Sequence, residues 1–383
     1  MKSAPRFTRH LAALSLLLLV PYLHGQQPPT PSSNDNASAY KRHINIPMPE
    51  AGPAGLDGWL VVPHTAVKPP LLLLTDGSTH SHLRELGPGN LLPEALWFVR
   101  RGWAVAIISR RGTGLSGGAD PDEKLPKMPC SEATFEFLQG SYAQDLRAAY
   151  TYLATQPDVD ATRTIAAGYV TAGSAAMWLT AAPDGPPVGL KAVINFSGGW
   201  STLPDWMLKG NVHAIPDAIV PSFAKLGAAA HVPMLWLYPK KGSVFGLKSA
   251  LAAKDAFSAA GGVAEMDILQ HSGDKDHYLF DENPAEWGPL VEQFLAKLGL
   301  PSTEIIPQAP LPDMKKLPSV FSDETKVAYL RYLEKGPNKA FAYSSRGAWG
   351  YASGKLTLDL AEHEALANCA GSDCKVIGSE QWR

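Results

Sequence analysis

Short, almost unbroken apolar runs recur between about His43 and Leu300, separated by stretches in which apolar residues return with helical spacing. Residues 56–62 and 71–75 are strand candidates, and Asp76-Gly77 supplies a turn signal directly after the second. Residues 93–101 read as a helix opened by its proline, followed by a strand over 103–109. Tyr142, Leu146, Ala149, Tyr150 and Leu153 fall on one face of a helix. Further strands are expected at 164–168, 191–196, 233–238 and 266–270, with helices over 247–260 and 286–298. Strands apolar on both faces and interleaved with helices predict an α/β protein with a mostly parallel, doubly wound sheet. In such sheets chemistry gathers at the carboxyl ends of the strands.

Two stretches break the alternation. Residues 112–134 and 198–230 are long and rich in Gly and Pro, which reads as lids or rim excursions. Residues 26–40 are rich in Gln, Pro, Ser and Asn and read as a disordered spacer. Pro301, Pro307, Pro310, Pro312 and Pro318 mark 301–320 as a linker. Beyond it a helix over 323–334, a hairpin over 339–353, a helix over 360–368 and a strand over 374–378 outline a small α+β module, 321–383. The large domain is then 41–300.

Composition narrows this picture at a few points. The 383 residues, 45 % of them apolar, suffice for one large domain with its own core plus the smaller module. A formal net charge of −2 gives no electrostatic footprint for nucleic acid. Lys2, Arg6 and Arg9 precede the apolar run 11–20 and then Gly25, the layout of a secretory signal over 1–25 that is cleaved near its end. The run is too short to span a bilayer comfortably, so a secreted or periplasmic protein without a membrane span is expected. Of the three cysteines, Cys369 and Cys374 are close in sequence, and export favours a disulfide between them. A metal would need more ligands, of which His363 alone is in reach, so no metal is expected. Cys130 is left as a free thiol.

The candidate chemistry starts at Thr164-Ile-Ala-Ala-Gly168-Tyr-Val170-Thr-Ala172-Gly173-Ser174. A short apolar strand turns into an Ala-rich helix, with Gly168 and Ala172 two residues either side of one position. That is the outline of a nucleophile elbow, in which small neighbours let the backbone double back and lift the central side chain above the sheet edge. The central residue should be a serine that attacks an acyl carbon. It is Val170, which has no lone pair to offer. Elbow residues commonly have positive φ, so a preserved turn predicts strain of about 1–3 kcal/mol at this β-branched residue.

The partners are unevenly represented. His277, in Gly273-Asp-Lys-Asp-His277 after the last strand, stands where a catalytic base belongs in this topology, and His271 is a rival. Solvated loop histidines are commoner than catalytic ones. The acid should follow the strand 233–238, yet Pro239-Lys-Lys-Gly242-Ser-Val-Phe245 holds two cations and no carboxylate. Asp205, Asp274 and Asp276 are spatial substitutes. Oxyanion donors are expected from the elbow amides and from Asp76-Gly77-Ser78, with Asp76 itself read as part of a tight turn facing solvent. Thr171 and Ser174 are the other hydroxyls beside the elbow besides Tyr169, and so the alternative nucleophiles.

Five segments carry a resemblance: Trp97-Phe-Val-Arg-Arg-Gly102-Trp-Ala-Val, Arg110-Arg-Gly112-Thr-Gly114-Leu-Ser116-Gly-Gly118, Asp160-Ala-Thr-Arg163-Thr-Ile-Ala-Ala-Gly168, Ala192-Val-Ile-Asn195-Phe-Ser-Gly-Gly199 and Trp287-Gly-Pro-Leu-Val. In this order and spacing, 41–300 resembles the α/β-hydrolase superfamily, and more closely its exported dienelactone-hydrolase-like members. The resemblance implies an α/β-hydrolase fold with the serine position at Val170, the aspartate position at Gly242 and the histidine at His277. The histidine-glycine that usually precedes the oxyanion loop falls on Asp76-Gly77. The C-terminal unit is similar to small modules, with paired cysteines, appended to some exported members. The expectation is a catalytically degenerate esterase-like or lactonase-like fold that uses no cofactor and binds a small acyl, ester or lactone-like ligand or serves as an interaction surface. The alternative is an active acyl hydrolase using Thr171 or Ser174 with His277.

Overall fold

The computed structural model describes residues 38–77, 85–128, 131–199, 218–241, 245–270, 278–282 and 284–381. Strands β1 (Ala39–Ile46), β2 (Leu56–Pro63), β3 (Pro70–Thr75), β4 (Ala104–Ile108), β5 (Asp160–Tyr169), β6 (Leu190–Phe196), β7 (Met234–Pro239) and β8 (Ala264–Leu269) form one sheet. Their order is β1-β2-β4-β3-β5-β6-β7-β8. β1, β2 and β4 pair antiparallel, and from β4 to β8 every neighbouring pair is parallel.

β3 shows why these residues make a central strand. Leu71 and Leu73 enter the core on one face, Leu72 and Leu74 the core on the other, and none of the four retains accessible surface. Period-two alternation with leucine on both sides requires cover on both sides. One face is covered by α2 (Glu132–Leu153), α3 (Thr171–Trp178), α4 (Val220–Ala229) and α5 (Leu247–Ala259), through Phe135, Tyr142, Met177, Phe223 and Phe257. The other is covered by α1 (Leu92–Val99), α6 (Tyr278–Glu282) and α7 (Pro284–Lys297), through Trp97, Phe98, Phe280 and Trp287. Among the described residues no helix is long and apolar enough to cross a membrane.

Four sequence expectations change. β1 begins at Ala39, inside the stretch read as spacer. Only Ala39, Ile44 and Ile46 of this edge strand are buried, so its apolar pattern is sparse while its ladder to β2 runs the full length. α2 starts inside the first excursion, where Ser131 caps it by accepting from Thr134 N at 3.3 Å. α4 lies inside the second excursion. The proline-rich stretch is fastened to the large domain: Trp103 Nε1 donates to Pro301 O at 2.9 Å, and Ile305 N donates to Arg100 O at 2.8 Å. Prolines there remove backbone donors, so side chains and the remaining amides do the anchoring.

The C-terminal module has a second sheet, order β10-β9-β11, from β9 (Lys339–Tyr343), β10 (Trp349–Ala352) and β11 (Lys375–Glu380). Phe341 faces Tyr329 and Tyr332 of α8 (Asp323–Glu334), while Ala340, Ala342 and Ala352 face Ala361 and Ala365 of α9 (Leu358–Asn368). The disulfide joins Cys369 to Cys374, tying the end of α9 to the approach to β11. Buried Lys339 donates to Leu333 O and Lys335 O, each at 2.8 Å, satisfying carbonyls at the end of α8. Burial lowers its pKa, against the opposing effect of Glu380 at 3.2 Å.

Trp287 on α7 binds the two halves of the second core together. It is fully buried, its Nε1 donates to Phe280 O at 3.1 Å, and its ring lies 4.8 Å from Trp97 and 5.2 Å from Phe196. Trp287→Ala is expected to lower unfolding free energy by about 3–5 kcal/mol. Chemical denaturation followed by circular dichroism measures this, and a change under about 1 kcal/mol would show that the site collapses freely.

Candidate functional site

β5 ends at Tyr169 and α3 starts at Thr171, so the chain reverses at Val170 alone. Val170 has φ 54 and ψ −123, as expected for a preserved elbow. L residues avoid this region and a β-branched one most of all, so the turn holds strain of about 1–3 kcal/mol. Two bonds fix it: Val170 N donates to Phe196 O at 2.8 Å, and Ser174 N donates to Val170 O at 3.2 Å. A Cβ on Gly168 would lie 2.6 Å from the carbonyl of Ala172, so the strand end and the first turn of α3 meet as bare backbone. The Val170 side chain is 5 % exposed and belongs to the apolar cluster that also holds Tyr169, Phe196 and Phe280.

Gly77 presses on the same turn, since a Cβ there would fall 1.6 Å from Tyr169 O. The end of β3 is thus brought against the elbow, where an oxyanion loop belongs. Asp76 departs from the solvent-facing turn read from sequence. It is partly buried, accepts from Tyr169 Oη at 2.8 Å and from Asn90 Nδ2 at 2.9 Å, and both bonds reach far along the chain. Buried Arg110 sits over the Tyr142 ring at 4.2 Å. Burial alone would weaken its charge, but Tyr142 and the carboxylates of Asp120, Asp122 and Asp76 raise its pKa further. Asp76, Ser109, Arg110 and Thr113, with Leu86 and Leu91, border a cavity of about 20 Å³, room for a water.

The alternative hydroxyls are placed as follows. Ser174 is 0 % exposed and donates to Gly199 O at 3.3 Å, the local use that serines in helices commonly find. Thr171 is buried at the start of α3. His277, Gly242, His271, Ser78, Asp205, Asp274, Asp276 and Cys130 lie outside the described residues. Among the described residues no cluster of His, Cys, Asp and Glu is arranged to hold a metal.

Two residues near the elbow escaped the sequence reading. Asn90 is one, because its bond to Asp76 spans an interval that no local pattern records. Ser197 is the other. It follows β6 with φ 53, is 4 % exposed, and among the described residues its buried Oγ has no hydrogen-bond partner. Ser197 N donates to Leu237 O at 2.8 Å, and the preceding residue, Phe196, accepts from Val170 N. Asn195 and Tyr238 secure this strand end: Asn195 Oδ1 accepts from Gly198 N at 2.7 Å, and Tyr238 Oη donates to Gly198 O. The available signal was Ser197-Gly198-Gly199 directly after an apolar strand, a turn in which serine need not be solvated.

No family model matches the chain, and no curated protein matches it. Solved structures do. The Pyrococcus furiosus esterase Pf2001 is 14 % identical at a TM-score of 0.48, with 71 % of this chain and 97 % of that one covered. The dienelactone hydrolase-like promiscuous phosphotriesterase P91, from metagenomic libraries, is 15 % identical at 0.43, over 61 % and 83 %. An acylaminoacyl peptidase of Pyrococcus horikoshii is 16 % identical at 0.47, and the match spans 73 % of this chain but only 44 % of the peptidase.

The close approach at Gly168 gives a direct test. Gly168→Ala places a methyl group against backbone that cannot swing aside, and is expected to cost about 3 kcal/mol, the upper end for overpacking. Thermal and denaturant unfolding read the loss. A neutral result would mean that the turn opens without penalty. The strand order, the parallel core and the strained turn between β5 and α3 give this chain the α/β-hydrolase fold.

Proposed function

We propose that this is an exported α/β-hydrolase-fold protein whose serine-type acyl transfer has been lost, and whose remaining role is to bind a small acyl, ester or lactone-like ligand or a partner. The observation that carries the reading is Val170 at the apex, in elbow geometry and without an attacking atom. Gly242 at the acid position and Asp76 beside the elbow support it, because a carboxylate there opposes the negative charge of an acyl-transfer intermediate. Losing the serine alone costs a triad hydrolase on the order of 10⁶ in rate. An oxyanion hole by itself sustains roughly 10³–10⁴ over water. Export rests on the basic and apolar N-terminal segment, with the Cys369–Cys374 bond in keeping with an oxidising compartment.

A second reading has one observation in its favour. Ser197, with a positive-φ backbone and a hydroxyl that has no partner among the described residues, is a better displaced nucleophile than Ser174, whose oxygen is already engaged. His277 would be its base. Strain and an orphaned polar group together are the marks of a functional position.

Purified protein is expected neither to hydrolyse short p-nitrophenyl esters above background nor to react with a fluorophosphonate probe. Val170→Ser with Gly242→Asp is expected to gain probe labelling at position 170 and measurable esterase activity. Mass spectrometry of the wild type decides between the readings: an adduct on Ser197, Thr171 or Ser174 rejects the loss of chemistry, and an adduct on Ser197 is expected to vanish in Ser197→Ala.

A further inference from the structure

The C-terminal module grips the large domain at the segment bordering the elbow. Leu86 and Lys355 form an isolated antiparallel bridge, flanked by Gly87 N donating to Gly354 O at 2.9 Å and Leu356 N donating to Glu85 O at 2.6 Å. The contact is backbone on backbone: a Cβ on Gly354 would lie 2.5 Å from Asn90 Cα, and one on Gly336 would lie 1.7 Å from Gly89 O. Within the module the gripping turn is held by Asn338, whose Nδ2 donates to Lys355 O at 2.9 Å and Leu356 O at 3.0 Å. Its target carries Asn90, the residue that holds Asp76, and leads into α1.

A second contact lies one turn into α1. Lys335 Nζ meets Asp281 Oδ1 of α6 at 2.6 Å. Glu94 of α1 is 4 % exposed, lies close enough to Asp281 for the two carboxyls to act on each other, and among the described residues its Oε2 has no hydrogen-bond partner. Three segments far apart in sequence thus meet at two carboxyls and one ammonium. The last of them, α6, begins immediately after His277 in the chain.

We propose that the C-terminal module is a pH-sensitive strap over the rim of the elbow, clipping the Asn90 segment and α6 in place, with Glu94, Asp281 and Lys335 as its latch. The proposal stands whichever functional reading holds. Burial, and then Asp281, hold the Glu94 carboxyl well above the ordinary carboxylate range, against Lys335 and a backbone hydrogen bond. While protonated, Glu94 donates to Asp281, and Asp281 keeps Lys335 as its own counter-ion. Once Glu94 ionises, two carboxylates compete for one ammonium, and of the two Glu94 is the one shut away from water. A carboxyl whose folded pKa is raised contributes stability that is complete below the unfolded value and is lost as pH climbs through the raised one. The latch is therefore closed on the acid side and loosens toward alkaline pH. Lys335 stays charged across that window: burial works against its charge, but Asp281 and Glu94 raise its pKa overall, and Tyr351 of β10 is the other group facing it.

Hydrogen exchange on the full-length protein at about pH 5 and pH 9, corrected for the intrinsic pH dependence of amide exchange, tests this. Protection in 85–94, 278–282 and 354–356 is expected to fall about tenfold or more at the higher pH, the equivalent of one pKa unit of coupling. β5 should be unchanged. Glu94→Gln, which keeps the shape and removes the ionisation, should give equal protection at both values, and Lys335→Met should leave the strap open at both. Unchanged protection in the wild type overturns the proposal, as does a Glu94→Gln protein with the wild-type response. If Glu94→Gln does not fold, Leu86→Cys with Lys355→Cys supplies the same decision. A covalent bridge there should abolish the pH response, and a response that persists rejects the strap.

Discussion

The reversal of the chain at Val170 is the constraint on which the carboxyl edge of the sheet depends. A helix that starts one residue after a strand must lay its first turn against that strand, and here the contact is backbone to backbone at Gly168. No side-chain adjustment relieves such a contact. The same turn is bonded sideways to β6 through Val170 N and Phe196 O, so α3, β5 and β6 hold it jointly. Strain of about 1–3 kcal/mol at a β-branched residue is thus borne by three elements at once.

The surroundings of the turn are alike in character to its apex. Val170 adds hydrocarbon to a cluster with Tyr169, Phe196 and Phe280. Asp76 adds a carboxylate that is aimed by Tyr169 and Asn90 rather than left in solvent. A hydrolase site needs a nucleophilic oxygen and donors for an anion. This edge offers an apolar apex and an anion of its own, with Arg110 nearby to balance it. The two changes are chemically independent, yet each disfavours a tetrahedral oxyanion.

The large-scale fold was legible because it depends on local pattern. Leu71–Leu74 announces a strand buried on both faces, and Tyr142, Leu146 and Leu153 announce the helix that covers one of them. β1 was not legible, because an edge strand with three buried residues carries almost no period and is defined by its partner. The elbow was legible from Gly168 and Ala172, since steric room is written in residue size. The polar side of the site was not. Asp76-Gly77 reads as an exposed turn on its own, and the distant Asn90 and Tyr169 help make Asp76 a partly buried group. Ser197 carries no local sign of being orphaned, because an unmade hydrogen bond is a property of everything around it.

The module enters this edge through the same kind of long-range dependence. Its two clusters, one of aromatics over β9 and one of alanines under α9, are small, and a unit of this size gains from any external support. The support it takes is the segment from Glu85 to Glu94, which also carries the residue that orients Asp76. If the module is a strap, its stability and order at the rim of the elbow are shared between two parts of the chain. On that proposal, loosening the seam at Leu86 and Lys355 costs both, and a ligand that orders Asp76 tightens the module in return, since coupling between two sites is reciprocal. The appended unit thus reaches the rim of the site at Leu86 through backbone contacts, with no side chain of it placed at the apex among the described residues.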